Sequence, residues 1–446
     1  MPAPRPDSAA TLAAVLAGLD TTAQSVVPWF LSSMPDYYFH THSEAELRRH
    51  LHAIISGQVL SHGQTVTLRS PSGTRVTYIS PMTPAGGELT SVLTRHVASD
   101  IQNARFYATR DETLRLDTLL LAPQPMADPG DPAFLAAQEA MRGQGELSPD
   151  ELPAFSAFLA RATQDYVEMF EPGRALRHYR LTQELQGREG VLVRLEPMPD
   201  GRESRVIVSM TDPPRSGLLL SMARILHRRG AVIHRGYADA FAADSAGDPG
   251  TAARPCAVIS FYVSAPGAPL DARPDAHRDA PLDPESDLWR GVARDLRLVK
   301  WHRPHHLEVF ADEQGWPLKR IMLLQAGAEF AHQYLVRKNP WAFTADNIVH
   351  ALLRHSVEAA LAVEFFEARF DPDRPDREHA PVRLESELQT RLAGLEDDMA
   401  RETLACVLGF FKHTLRANYF LEAPHGLAFR LDPQFLAGYH PSAAAE

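Results

Sequence analysis

The sequence predicts an α+β fold, with tandem α/β modules followed by a helical C-terminal region, and three observations carry that reading. Stretches of alternating apolar and polar residues come in two groups, each interrupted by a segment of helical period. Turn-forming stretches rich in Pro, Gly, Ala and Asp (Pro123–Gly145, Ala242–Pro255, Ala265–Pro284 and Asp371–Pro381) separate the groups. Beyond them, leucine and phenylalanine recur at helical spacing to near the end of the chain. With 446 residues, about three domains of roughly 150 residues are expected. They are placed at 1–125, 146–270 and 283–446.

In the first module, Ala9–Leu19 reads as a short amphipathic helix, and Ser43 with Glu44 and Glu46 reads as the start of another. Thr65–Ser70 and Arg75–Ser80 alternate as strands joined by the Pro71–Thr74 turn. Leu89, Val92, Leu93 and Val97 follow at helical spacing, then strands at Ile101–Thr109 and Thr113–Leu121, giving β-β-α-β-β. The second module opens with a helix signalled by Ser148, Pro149 and Glu151, with Phe155, Phe158, Leu159 and Ala162 on one face. Strands at Val191–Leu195 and Arg205–Met210 lead into a helix carrying Leu218, Met222, Ile225 and Leu226 and stopped by Gly230. Ala231–Phe241 and Cys256–Ser264 are strands, and a helix from Asp283 carries Leu288, Val292 and Leu296. The two modules read as a weak internal repeat. In the last third, one stripe runs through Ile348, Leu352, Ala359, Val363 and Phe366. A second runs from Leu384 through Leu404, Leu408 and Phe411 to Leu415, before an extended segment at Leu427–Leu431.

Composition excludes several function classes. Lys and Arg total 45 against 56 Asp and Glu, a net charge of −11 with no basic run, so neither nucleic acid nor an anionic membrane is an expected partner. Four lysines, Lys300, Lys319, Lys338 and Lys412, leave few places for Schiff-base or phosphate-cradling chemistry. The two cysteines, Cys256 and Cys406, form neither a zinc pattern nor a disulfide framework, and no apolar run reaches the length of a membrane span, so a cytoplasmic protein is expected. No GxSxG, no GxxxxGK[ST] and no strand-flanked glycine-rich dinucleotide turn occurs. The histidines His40, His42, His50, His52 and His62, and the group His302, His305 and His306, lack accompanying ligands at metal spacing and read as surface or capping residues. Glu329 and His332 read as a local pair on a helix surface. No catalytic residue, metal or cofactor is assigned.

The most informative loop is Asp212-Pro213-Pro214-Arg215-Ser216-Gly217, between a strand and a helix. On one reading Asp212 caps the helix and Gly217 packs on the sheet. On the other, the helix start receives an anionic group and Gly217 permits its close approach.

Two resemblances follow from these residues. Arg205–Ser264 resembles an ACT domain, a ferredoxin-like module that often senses amino acids. The likeness lies in Val206-Ile207-Val208, Asp212, Gly217-Leu218-Leu219-Leu220, Gly230 and Val232-Ile233, with a loop two residues longer than usual. It implies an amino-acid effector held by Asp212, Arg215, Ser216 and Gly217, with Arg215 on the carboxylate and Asp212 on the ammonium group. Phe411–Phe420 together with Leu427–Leu436 resembles the stretch that precedes the catalytic region of the large NAD-specific glutamate dehydrogenases. That likeness implies a regulatory and assembly region of such an enzyme, which converts glutamate to 2-oxoglutarate. NAD would be expected only with a catalytic domain, absent from these residues, supplied in cis or in trans, and the chain is expected to be a homo-oligomer. The alternative is a freestanding ACT-type amino-acid sensor. With no catalytic domain to cover them, Tyr419, Phe420 and Phe435 are expected to lie exposed.

Overall fold

The structure, a computed structural model, describes residues 21–83, 87–186, 189–199, 201–243, 253–265, 280–421 and 426–437. It divides into two compact units, Met1–Lys300 and Trp301–Glu446. The expected helix at Ala9–Leu19 lies outside the described residues, as does most of the Ala242–Pro255 and Ala265–Pro284 stretches.

The described part of the first unit opens with four helices, α1 (Thr21–Ser33), α2 (Asp36–Thr41), α3 (Glu44–Ser56) and α4 (Val59–His62). The start of α3 is fixed as its sequence suggests: the Ser43 hydroxyl accepts from the Glu46 amide while the Glu46 carboxylate accepts from the Ser43 amide. Strands β1 (Val66–Arg69) and β2 (Arg75–Pro81), helix α5 (Glu88–Thr94), and strands β3 (Asn103–Ala108) and β4 (Leu114–Leu120) form the first module. Four helices follow, α6 (Pro132–Gln144), α7 (Leu152–Leu159), α8 (Gln164–Glu168) and α9 (Pro172–Glu184). Strands β5 (Val191–Pro197) and β6 (Ser204–Thr211), helix α10 (Leu218–Arg228), strands β7 (Val232–Phe241) and β8 (Cys256–Ser264), and helix α11 (Asp287–Leu296) complete the unit.

All eight strands join one antiparallel sheet in the order β1-β2-β4-β3-β7-β8-β6-β5. Each half is a ββαββ motif, and read outward from the β3–β7 seam the halves run 3-4-2-1 and 7-8-6-5, so equivalent strands hold equivalent places. The seam pairs Ala104 with Ala238 and Phe106 with Gly236. The repeat in sequence is therefore a near two-fold repeat in space. Helices α5 and α10 pack together over the seam. The opposite face is covered in its first half by α1–α4, through Phe30, Tyr38 and Leu51 on Ile79, Tyr107 and Leu116. In its second half, α6–α9 cover it through Phe134, Phe155, Phe158 and Leu181 on Ile207, Phe241 and Val258.

One sequence expectation is corrected here. Pro123–Gly145, read as a turn-rich separator, contains the three-turn helix α6, started by the Asp131 side chain with Pro132 in its first turn. It buries Phe134, Ala137 and Met141, and their i, i+3, i+7 spacing outweighs the local Gly and Pro content.

The second unit is helical: α12 (Val309–Gln314), α13 (Leu318–Leu335), α14 (Ala345–Arg354), α15 (Ser356–Phe370), α16 (Ala380–Ala393) and α17 (Asp398–Lys412), then a hairpin of β9 (Thr414–Ala417) and β10 (Phe429–Leu431), and α18 (Pro433–Ala437). The stripe through Ile348 and Phe366 spans two helices that break at His355, and the second stripe ends before Leu415, which lies in β9 and is 52% exposed. The expected exposure of the C-terminal aromatics is also corrected. Tyr419 is buried, the Phe435 ring stacks on His413 at 4.3 Å, and Phe420 is half-buried. They pack on helices of their own unit. Among the described residues no helix is long and apolar enough to cross a membrane.

Candidate functional site

Residues 212–217 turn the chain from β6 into α10. Asp212 has a left-handed backbone (φ 43°), and its amide donates to the Pro255 carbonyl at 2.8 Å. Gly217 is the N-cap of α10 at φ 76°, a conformation in which a side chain would be strained. No side chain caps this helix, so Asp212 is not its cap. The first turn of α10 holds no acidic residue, so no carboxylate within it offsets the helix dipole.

The equivalent point in the first module is built differently. Helix α5 also starts on a left-handed glycine, Gly87 at φ 93°. There Glu88 supplies the negative charge and accepts from both the amide and the hydroxyl of Thr83, each at 2.7 Å. His227 closes over Gly87: a Cβ on that glycine would lie 3.5 Å from His227 Nε2. The two equivalent helix starts differ in charge: α5 carries Glu88 in its first turn, whereas α10 has no acidic residue there, and among the described residues neither has a side-chain cap.

Beside the start of α10 is a cavity of about 500 Å³ at the junction of the two modules. The structure brings all four predicted residues, Asp212, Arg215, Ser216 and Gly217, to its wall. Arg215 and Ser216 are exposed, Asp212 half-buried and Gly217 buried. The opposite wall is the end of α5 and the loop into β3, with His96, Ser99, Asp100 and Gln102; Cys256 lies on β8.

Sequence reasoning missed this wall, because only the β3–β7 pairing brings residue 100 near residue 215. It also missed Arg254, whose guanidinium pairs with the Asp212 carboxylate. Arg161 extends that link, donating to the carbonyls of Ala242 and Arg254 at 2.7 Å each. An ammonium group at Asp212 would share the carboxylate with Arg254, while Asp100 offers a second anion.

The titratable groups of the cavity suit binding. Burial pushes the Cys256 thiol up to about 11, against the opposing pull of Arg161, so it is no thiolate nucleophile at neutral pH. His96 is lowered, first by burial and then by Arg69 and Arg95, and its Nε2 shares a hydrogen bond of 2.8 Å with the Tyr78 hydroxyl. The cavity wall also carries Asp100, Asp212 and Arg215 beside a helix start, an arrangement suited to a small zwitterion.

Two histidines expected at the surface are core residues. His50 is buried, with Nδ1 2.7 Å from the Tyr38 hydroxyl, and His302 is buried against Glu308 at 2.9 Å. His305 does cap, accepting from the Leu307 amide at 3.1 Å. Glu329 accepts from Gln325 at 2.9 Å, one turn earlier on α13. Among the described residues no group of three or more His, Cys, Asp or Glu is placed to hold a metal ion.

Against known proteins, no family model matches the sequence and no curated protein does.

Proposed function

We propose that the chain is a regulatory, amino-acid-sensing region, with paired ACT-like modules in its first unit and the effector site at the start of α10. One observation carries the reading: two ββαββ motifs meet across β3 and β7, and the open helix start between them faces a cavity sized for a small metabolite. The effector's carboxylate would meet the α10 amides and Arg215, and its ammonium group Asp100 and Asp212. The cavity draws walls from both modules, so a ligand there favours one setting of the seam by its differential affinity.

The C-terminal likeness supports reading this region as part of an NAD-dependent glutamate dehydrogenase. It would act as the cytoplasmic, non-catalytic sensing and assembly part, homo-oligomeric, with NAD bound by a catalytic domain in cis or in trans. A second reading, a freestanding ACT-type sensor, is favoured by the packed C-terminal hairpin, in which Tyr419 is covered within its own unit.

Calorimetric titration with the common amino acids tests the site. A hit at millimolar concentration or below, lost in Gly217→Val and weakened in Asp212→Ala, supports it. No binding, or a hit that survives both changes, leaves the loop a structural turn. Adding the chain to a glutamate dehydrogenase catalytic domain separates the readings: an effector-dependent change in NAD reduction supports the first, and none supports the second.

A further inference from the structure

A second cavity, of about 480 Å³, lies on the other face of the sheet, between the α1–α4 layer and the α6–α9 layer. Its floor is Arg205, Arg235, Tyr237, Ser260 and Tyr262; Tyr37 on α2 and Arg174 and Arg177 on α9 form its walls.

Six arginines line it, Arg110, Arg174, Arg177, Arg202, Arg205 and Arg235, against three carboxylates, Asp36, Glu171 and Glu203. This inverts the balance of a chain with 45 basic and 56 acidic residues. Some of the charge is matched nearby. Arg110 pairs with Asp36 at 3.2 Å and Arg235 with Glu203 at 2.9 Å, while Asp239 lies behind Arg174. Arg177 and Arg205 share one carboxylate, Glu196, at 3.6 Å for Arg177 Nε and 3.0 Å for Arg205 Nε. Glu171 is engaged with the start of its own helix, accepting from the amides of Gly173 and Arg174.

Two donors in the walls are orphaned. The Tyr37 hydroxyl and Arg174 Nε are both buried without a hydrogen-bond partner among the described residues, a costly state unless something in the cavity accepts from them.

We propose that this cleft binds a small oxyanionic metabolite through its phosphate or carboxylate group. Guanidiniums grip such groups by paired hydrogen bonds, and a volume of this size exceeds what a bare ion needs. The Tyr237 and Tyr262 rings meet edge to face at 5.9 Å and give the rest of the ligand an apolar wall. The site is separate from the α10 cavity, because the two share no lining residue.

The test is calorimetry and thermal shift on the full chain at constant ionic strength, with pyrophosphate in one arm and citrate in the other. Saturable binding of either supports the proposal, and the arm that binds names the group. Arg177→Gln should weaken it about tenfold or more. Tyr37→Phe, which removes only the unpartnered hydroxyl, should weaken it less but measurably, and serves alone if the arginine variant does not fold. Overturning results are no saturable binding in either arm, or binding that both variants leave intact, which marks a nonspecific ionic effect.

Discussion

Phe106 on β3 and Phe261 on β8 stack within 2° of parallel, 6.1 Å between centroids, across the backbone of Gly236 on β7. A Cβ on Gly236 would lie 2.8 Å from one ring and 2.9 Å from the other. The glycine lets the two modules close at their seam. Gly236→Ala should therefore destabilise the first unit by ~1–3 kcal/mol, the usual cost of overpacking. A urea midpoint equal to wild type would show that the rings can part without cost.

A second buried relationship lies on β4. The Arg115 Nε reaches both oxygens of Asp117, at 2.9 and 3.0 Å, and Arg115 also donates to the Ile233 carbonyl at 2.8 Å. Burial pushes the Asp117 carboxyl up to about 6, with Arg115 opposing it. Arg115→Ala should cost ~3–5 kcal/mol near pH 7, because a buried carboxylate loses its counter-charge. The same change should cost clearly less at pH 4.5, where Asp117 is protonated. Denaturation of both proteins at the two pH values checks this, and a cost independent of pH would put the whole effect on the Ile233 carbonyl.

The strands were legible because they are antiparallel and well patterned: all eight in the sheet were expected within a few residues. The α3 start was equally legible, since Ser43 and Glu46 carry a local hydrogen-bond signature. The helices α6, α8 and α9 were not. Their apolar residues are diluted by Arg, Gln and Gly, and what stabilises them is the sheet face on which Phe134, Tyr166 and Leu181 pack. The site was half legible. The 212–217 loop announces itself by Pro, Gly and charge, whereas its opposite wall, residues 96–102, depends on a strand pairing that joins residues 130 positions apart. Arg254 was equally hidden, because its pairing with Asp212 depends on the β6–β8 register. The arginine-lined cleft left no local signal, its residues being scattered from 35 to 262.

Acid should destabilise the first unit in a defined window. Burial lowers His42 to about 4 and His50 to about 3, so the folded chain holds both neutral while the unfolded chain protonates them near pH 6.5. Their contribution is complete above that value and is lost as pH falls toward 4. Asp117 works in the opposite sense, adding stability as pH falls through its raised value. His178, held well below its ordinary value first by burial and then by Arg174, and His96 act in the same sense as His42 and His50, so unfolding takes up more protons than Asp117 releases and stability falls as pH drops from about 6 to 4. Replacing the hydrogen-bonded pair together, as Tyr38→Phe with His50→Leu, should flatten that slope while changing neutral-pH stability little. An unchanged slope would assign the acid sensitivity elsewhere.

In the second unit, Glu367 on α15 ties three elements together. Arg320 on α13 reaches its two oxygens from Nε at 2.9 and 3.0 Å, and the Tyr419 hydroxyl donates to Oε1 at 2.7 Å. The Glu367 side chain is 16% exposed and that of Arg320 33%, so the network is partly shielded from solvent. Tyr419 also carries Lys319 over its ring at 4.7 Å and packs edge-on against Phe366 at 5.5 Å. Removing only the hydroxyl, in Tyr419→Phe, keeps those ring contacts and should cost ~1.5–3 kcal/mol, the range for a hydrogen bond to a charged group. Glu367→Ala should cost more than Tyr419→Phe, because it also strips Arg320 of its carboxylate. If the network is what holds the hairpin, both variants should raise proteolysis within residues 414–431 while leaving the first unit's melting transition in place. Equal resistance in both would mean that the aromatic contacts of Phe366, Phe410 and Phe429 suffice to hold the hairpin without the network.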